Sequence, residues 1–212
     1  MQKNKMKLKI KVCGMKQAAN IAAVAELQPD YLGFIFYSKS PRFISELSAE
    51  LIKYVPSTIK TTGVFVNEDL QIVKQYILKY NLKAVQLHGL EDVNYCESLK
   101  STGAEIIKAF GVDEHFEFEK LSSYLNVVDY FLFDTQTPAH GGSGKVFDWG
   151  LLENYKFEKP YFLSGGVDLV HSPMLKQIID PRLYAIDVNS KFELEPGLKD
   201  VEKLKEFFKE MK

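Results

Sequence analysis

Cysteine is scarce in this chain: Cys13 and Cys96 are the only two in 212 residues, and they form no CxxC or other metal-type spacing. That excludes a secreted disulfide framework and a cysteine-based zinc module, and it makes a reducing cytosol the expected compartment. Long apolar runs are also missing. None approaches the roughly 20 residues needed to cross a bilayer, and the opening MQKNKMKLKIKVCG lacks the apolar centre of a signal peptide. Charge of one sign is missing too, since 27 Lys and Arg against 28 Asp and Glu leave a formal net charge of −1. Such a chain has no global attraction for nucleic acid or membrane, so any phosphate recognition must be local. No linker or low-complexity stretch divides the sequence, and a single domain over residues 1–212 is expected.

What the chain does contain is a recurring unit. Runs rich in β-branched and aromatic residues fall at Leu8 to Cys13, Tyr31 to Phe36, Thr61 to Val66, Ala84 to His88, Glu105 to Phe110, Tyr130 to Asp134, Tyr161 to Ser164 and Tyr184 to Val188. Between them lie stretches with helical spacing, among them Ala18 to Leu27, Leu70 to Tyr80, Val93 to Leu99 and Val201 to Met211. Alternating strands and helices imply a parallel sheet, and eight repeats favour its closure into an α/β (β/α)8 TIM barrel over an open doubly wound sheet. The sixth unit is the weakest. Its TQTPAHGGSGKVF, from Thr135 to Phe147, has no periodicity and reads as a long lid loop.

A barrel of this kind carries its chemistry at the C-terminal ends of its strands. Those ends supply Cys13 from strand 1, Arg42 from the loop after strand 2, and Gln86 and His88 from strand 4. Asp134 comes from strand 6 and Asp187 from strand 8. Strand parity puts Lys9, Lys11 and Cys13 on one face and Leu8, Ile10 and Val12 on the other, so Cys13 and Lys11 should point toward the barrel axis. An ammonium there needs a carboxylate, and Asp187 on the neighbouring strand 8 is the expected partner. Phosphate would meet backbone N–H groups after strands 7 and 8, at Ser164-Gly165-Gly166 and Asn189-Ser190. Gly141 to Lys145 imitates only part of a P-loop.

Each feature taken singly has a plainer reading. A lone cysteine at a strand end packs as a small apolar residue, Asp134 could cap the following turn, and an SGG is commonly just a turn. Gln86 and His88 could be structural, and Arg42 could form a surface ion pair. Cys96 reads as core packing, His115 and His171 as solvated residues near helix starts, and His140 as a lid residue.

In order along the chain, however, KVCGM (11–15), LGFIFYSKSPRFIS (32–45), GVFVNE (63–68), VQLHG (85–89), FDTQTPAHGGSGKVFDW (133–149), LSGGV (163–167) and AIDVNSKFELEPGLKD (185–200) form a specific series. With it the chain resembles the phosphoribosylanthranilate isomerases of tryptophan biosynthesis over nearly its full length. The resemblance implies an Amadori rearrangement of a phosphorylated sugar–anthranilate substrate, with Cys13 as general base and Asp134 as general acid. It further implies Arg42 on the anthranilate carboxylate, Asp187 beside the reacting centre, and Gly165, Gly166, Asn189 and Ser190 around the phosphate. No metal and no cofactor is implied, nor any nucleic-acid or membrane partner, and nothing specifies an oligomeric state. A nearby cation such as Lys11 is expected to favour the Cys13 thiolate. One departure stands out: the family commonly reads D-x-S-S-G where this chain has Asp187-Val188-Asn189-Ser190-Lys191, which puts the backbone path to the phosphate in question. The rival barrel isomerase of histidine biosynthesis has aspartate at the Cys13 position, and a metal-dependent pentose-phosphate epimerase would need ligands this chain lacks. A silent, ligand-binding barrel would have no use for thiol, acid and arginine together.

Overall fold

A computed structural model describes residues 8–53, 55–135 and 148–211. Eight parallel strands close into a barrel in sequence order. They are β1 (Lys9–Val12), β2 (Tyr31–Ile35), β3 (Lys60–Phe65), β4 (Ala84–Leu87), β5 (Glu105–Val112), β6 (Tyr130–Thr135), β7 (Tyr161–Leu163) and β8 (Leu183–Val188). Closure is made by β1 against β8, in register from Lys9 opposite Ala185 to Val12 opposite Val188. All eight strands fall where alternation and β-branched content place them.

The connecting layer is less regular than the repeat suggests. Helices α1 (Ala18–Glu26), α2 (Ala49–Ile52), α3 (Leu70–Tyr80), α4 (Val93–Leu99), α5 (Ser172–Gln177) and α6 (Val201–Met211) serve six of the units. After β5 and β6 the connections are 3-10 segments, Phe118–Tyr124 and Trp149–Asn154. Neither stretch carries an apolar stripe long enough to sustain an α-helix, and short 3-10 turns suffice to return the chain. Where the periodicity is strong, caps fix the ends: the Asp69 carboxylate accepts from the N–H of Gln71 and Ile72 at the start of α3, and Asn81 ends it in the left-handed region. Among the described residues no helix is long and apolar enough to cross a membrane.

Alternation along the strands sorts side chains into two cores. Ile10, Val12, Leu32, Phe34, Phe65, Val85, Phe131, Phe133, Leu163 and Ile186 face outward and pack beneath the helices. Leu204, Phe207 and Phe208 of α6 are buried in the same layer, each contributing roughly 1.5–3 kcal/mol. Inside the barrel Tyr31, Ala84, Ile107, Ala109, Leu132, Phe162 and Ala185 fill the lower part. The N-terminal mouth is sealed by Tyr130 stacked on Tyr184 at 4.5 Å and by Tyr31 donating to Glu105 at 2.9 Å. Above this layer, toward the C-terminal end, lie the buried polar side chains Lys11, Gln86, Asp134 and Asp187.

Candidate active site

Strand parity delivers Lys11 and Cys13 to the upper barrel interior, and both are buried. Lys11 Nζ donates to Asp187 Oδ1 at 2.8 Å, as the neighbouring register of β1 and β8 requires, and also faces the Cys13 thiol. Burial alone would lower the Lys11 pKa, but Asp187 and the thiol together outweigh it and keep the ammonium charged. Asp187 Oδ2 also accepts from the Ser164 hydroxyl at 3.3 Å, which ties β7 into the pair. For Cys13 the balance falls the other way. Burial pushes its thiol up and outweighs the downward pull of Lys11 and Lys199. Lys11 does pull Cys13 toward the thiolate, as expected, but desolvation of the enclosed sulfur costs more than the two lysines together return.

Asp134 at the top of β6 is buried, and its Oδ1 accepts from the N–H of Thr135 at 2.7 Å, as a turn cap would. Its other oxygen faces His88 Nε2 at 3.4 Å. Gln86 Nε2 lies 2.8 Å from His88 Nδ1. With the Gln86 amide nitrogen against Nδ1, the Nε2 edge of the ring is turned to Asp134, and Gln86 Oε1 is left buried without a partner among the described residues. His88 therefore bridges Gln86 and Asp134 inside the barrel mouth. Its signal in the sequence was parity alone, since Gln86 and His88 share the inward face of β4. The acid group also faces Asp187 closely enough to raise the pKa of that carboxyl, together with its burial and against Lys11.

Arg42 is neither solvated nor in a surface ion pair. Its guanidinium is nearly buried and grips Glu193 through Nε, at 2.9 and 3.0 Å, and Nη2, at 2.6 Å. Glu193 opens a two-stranded ribbon, β9 (Glu193–Glu195) and β10 (Leu198–Lys199), that follows β8. Lys199 Nζ reaches Glu193 Oε1 at 2.6 Å and Asn189 Oδ1 at 2.7 Å. Nothing in the reading of strand ends pointed to Glu193 or Lys199, because both lie past the last barrel strand. They do fall inside the AIDVNSKFELEPGLKD block.

At the rim over β7 the chain turns through Gly165 (φ 82) and Gly166 (φ 67). A Cβ on Gly165 would lie 2.5 Å from Thr135 Oγ1 and 3.0 Å from Asp134 Oδ1, so only glycine lets this turn close on the acid. Among the described residues no protein acceptor takes the N–H of Gly165 or Gly166. Asn189 and Ser190 follow the neighbouring strand β8, with Ser190–Phe192 forming a 3-10 turn. Lys191 sits within that turn and is not among the residues with positive φ, so the missing family glycine does not strain the backbone. Asn189 itself is partly committed, since Lys199 occupies its side-chain oxygen.

His171 stands at a helix start, as expected, but is half-buried and not fully solvated. Its Nδ1 accepts from the N–H of Asp168 at 3.0 Å, and its ring packs edge-on to Trp149. His115 is fully solvated, and Cys96 is buried in α4. His140 and the Gly141–Lys145 segment lie outside the described residues, as does the rest of the expected lid from 136 to 147. Among the described residues no three His, Cys, Asp or Glu side chains gather as a metal-ligand group.

A family model described as N-(5'phosphoribosyl)anthranilate (PRA) isomerase matches residues 10–210. An N-(5'-phosphoribosyl)anthranilate isomerase of Parabacteroides distasonis is 43% identical over 204 residues, covering 95% of this chain and 92% of that protein. The crystal structure of the Thermotoga maritima phosphoribosyl anthranilate isomerase superposes with a TM-score of 0.84 at 34% identity, covering 96% of this chain and 98% of that one. A further structure of such an isomerase, in complex with reduced 1-(o-carboxyphenylamino)-1-deoxyribulose 5-phosphate, gives a TM-score of 0.80 at 30% identity over 96% and 98% of the two chains.

Proposed function

This chain belongs to the N-(5'-phosphoribosyl)anthranilate isomerase family, and we propose that its Cys13 and Asp134 divide the acid–base work of the family's reaction. The reaction isomerises phosphoribosylanthranilate in tryptophan biosynthesis, converting an aminoaldose into an aminoketose, 1-(2-carboxyphenylamino)-1-deoxyribulose 5-phosphate. Asp134 gives a proton to the ring oxygen, the furanose opens, and the anomeric carbon becomes an iminium. Cys13, as thiolate, removes the proton from the adjacent carbon. The electron pair neutralises the iminium nitrogen and leaves an enolamine, which tautomerises to the ketone. One proton has then passed from Asp134 to Cys13, and exchange with water resets the pair.

The observation that carries this reading is the buried continuity of Cys13, Lys11 and Asp187, with Asp134 facing Asp187 across the upper barrel. Lys11 favours the thiolate electrostatically, and His88 Nε2 is placed to receive the Asp134 carboxylate once it has given up its proton. Arg42 takes the anthranilate carboxylate, and Gly165, Gly166, Asn189 and Ser190 receive the phosphate. Neutral sugar chemistry of this kind needs no redox cofactor or metal. The partner is a small phosphorylated substrate, with no nucleic acid or membrane involved. We assign the enzyme to the cytosol, a reading supported by its two free thiols.

The test follows loss of substrate fluorescence when purified protein meets freshly generated phosphoribosylanthranilate. Cys13→Ala and Asp134→Asn should each lower turnover by roughly 10²–10⁴ with unchanged circular dichroism. Near-normal turnover in either variant removes that residue from its role.

A further inference from the structure

Arg42, Glu193 and Lys199 form a chain of three buried charges, and their arithmetic is unusual. One carboxylate sits between two cations, with side-chain exposures of 10% for Arg42, 4% for Glu193 and 0% for Lys199. The neighbouring Lys11–Asp187 pair is already neutral, so the group carries one uncompensated positive charge. Buried charge without a counter-ion is costly, and a site that retains it is prepared for an anion.

Geometry indicates where that anion goes. Glu193 occupies the edge of the guanidinium formed by Nε and Nη2. Arginine has five N–H donors in a rigid plane, so the end formed by Nη1 and the outer hydrogen of Nη2 remains for a second carboxylate. Glu193 is in turn fixed by Lys199 Nζ at 2.6 Å and by the N–H of Gly197 at 3.1 Å. Lys199 is anchored by Asn189 and, through its backbone, by Asn20 at 2.8 and 2.9 Å. From below, Gly14 (φ 77) keeps the space clear: a Cβ there would meet Arg42 Cδ and Asn189 Oδ1, both at 2.7 Å.

We propose that Glu193 is the positioning residue for Arg42, clamping one edge of the guanidinium so that the other takes the substrate carboxylate in one orientation, while Lys199 restores the positive charge that the clamp would cancel. An Arg–Glu pair by itself is neutral and attracts an anion poorly; adding Lys199 leaves a net charge of one without releasing the arginine. The inference deepens the proposed function and rests on Arg42 being the carboxylate seat.

The experiment compares kcat/KM for phosphoribosylanthranilate with kcat/KM for the aniline analogue that lacks the carboxylate. Glu193→Gln leaves two buried cations facing one another, so the charge-balanced pair Glu193→Gln/Lys199→Met is measured beside it, each variant checked by circular dichroism and thermal unfolding. Wild type should prefer the carboxylated substrate. The charge-balanced variant should lose roughly 10- to 100-fold of that preference, the scale of a mispositioned binding group, over and above any loss common to both substrates from the contact of Lys199 with Asn189. A purely structural role would lower both substrates equally, and that result overturns the proposal while leaving Arg42 in place. If wild type itself shows no preference, the Arg42 assignment falls and the clamp with it. Absence of any turnover in wild type would instead strike at the proposed function.

Discussion

Lys199 offers a quantitative test of whether the buried charges are balanced as described. Burial lowers its pKa from 10.5 to about 8, and Glu193 offsets only part of that, because Arg42 draws on the same carboxylate. A lysine whose folded pKa lies below its unfolded value binds fewer protons folded than unfolded between those two values, so stability must rise with pH across that window. The gap of about 2.5 between them corresponds to roughly 3 kcal/mol, and the side chain is buried enough that no discount for solvent applies. The cost is fully present below about pH 8. Most of it, roughly 2 kcal/mol, is recovered by about pH 10. The assay is urea unfolding of Cys13→Ala and of Cys13→Ala/Lys199→Met at several pH values, in a background where the thiol no longer titrates. The difference in unfolding free energy, lysine form minus methionine form, should climb with pH through this window. A flat difference would mean that the ammonium is effectively hydrated. A difference that falls would mean that Glu193 overcompensates the burial, and either result would refute the unbalanced charge.

Other perturbations read different parts of the site. Lys11→Met strands the Asp187 carboxylate in the barrel and should cost about 3–5 kcal/mol in urea unfolding, most of it recovered in Lys11→Met/Asp187→Leu; equal losses in both would show that the pair is not what Lys11 contributes. Since the Cys13 thiol is pushed up from its ordinary 9.0 by burial, thiolate absorbance in the ultraviolet, read as the difference between the protein and Cys13→Ala, should still be rising with pH at that value, and a plateau by neutral pH would contradict the balance of burial over Lys11. Gly165→Ala forces a Cβ into Thr135 at positive φ and should lose about 1–3 kcal/mol together with substrate affinity, both read from unfolding and KM. His88→Asn, which removes the imidazole facing Asp134, should lower kcat roughly tenfold at unchanged KM, less than the roughly 10²–10⁴ of a group that transfers the proton itself.

The strands were legible because each needs only a local pattern: Ile10 and Val12 alternate with Lys9, Lys11 and Cys13, and the barrel uses both faces of that alternation. Helices α3, α4 and α6 were equally plain, since their apolar spacing persists for about two turns or more. The 3-10 connections after β5 and β6 were not, because a segment of six or seven residues that merely returns the chain needs no periodicity to do so. The same distinction governs the site. Lys11 and Asp187 could be paired in advance because both lie on strands whose order and parity fix their separation.

Glu193 and Lys199 have no such rule. Their positions depend on a ribbon folding back over the barrel mouth, and no sequence period describes that path. Yet the charges themselves constrain the answer. Lys11, buried beside one carboxylate and a thiol, holds its proton more firmly than a free lysine, whereas Lys199, sharing one carboxylate with an arginine, holds it less firmly. The two lysines differ little in burial and both feel the Cys13 thiol, so the difference comes from the arginine that shares the carboxylate of Lys199. By neutralising one lysine and leaving the other in excess, the barrel gives the two ammonium groups different roles. On the proposed mechanism, Lys11 supports Cys13 from within, and Lys199 keeps the arginine attractive to an anion.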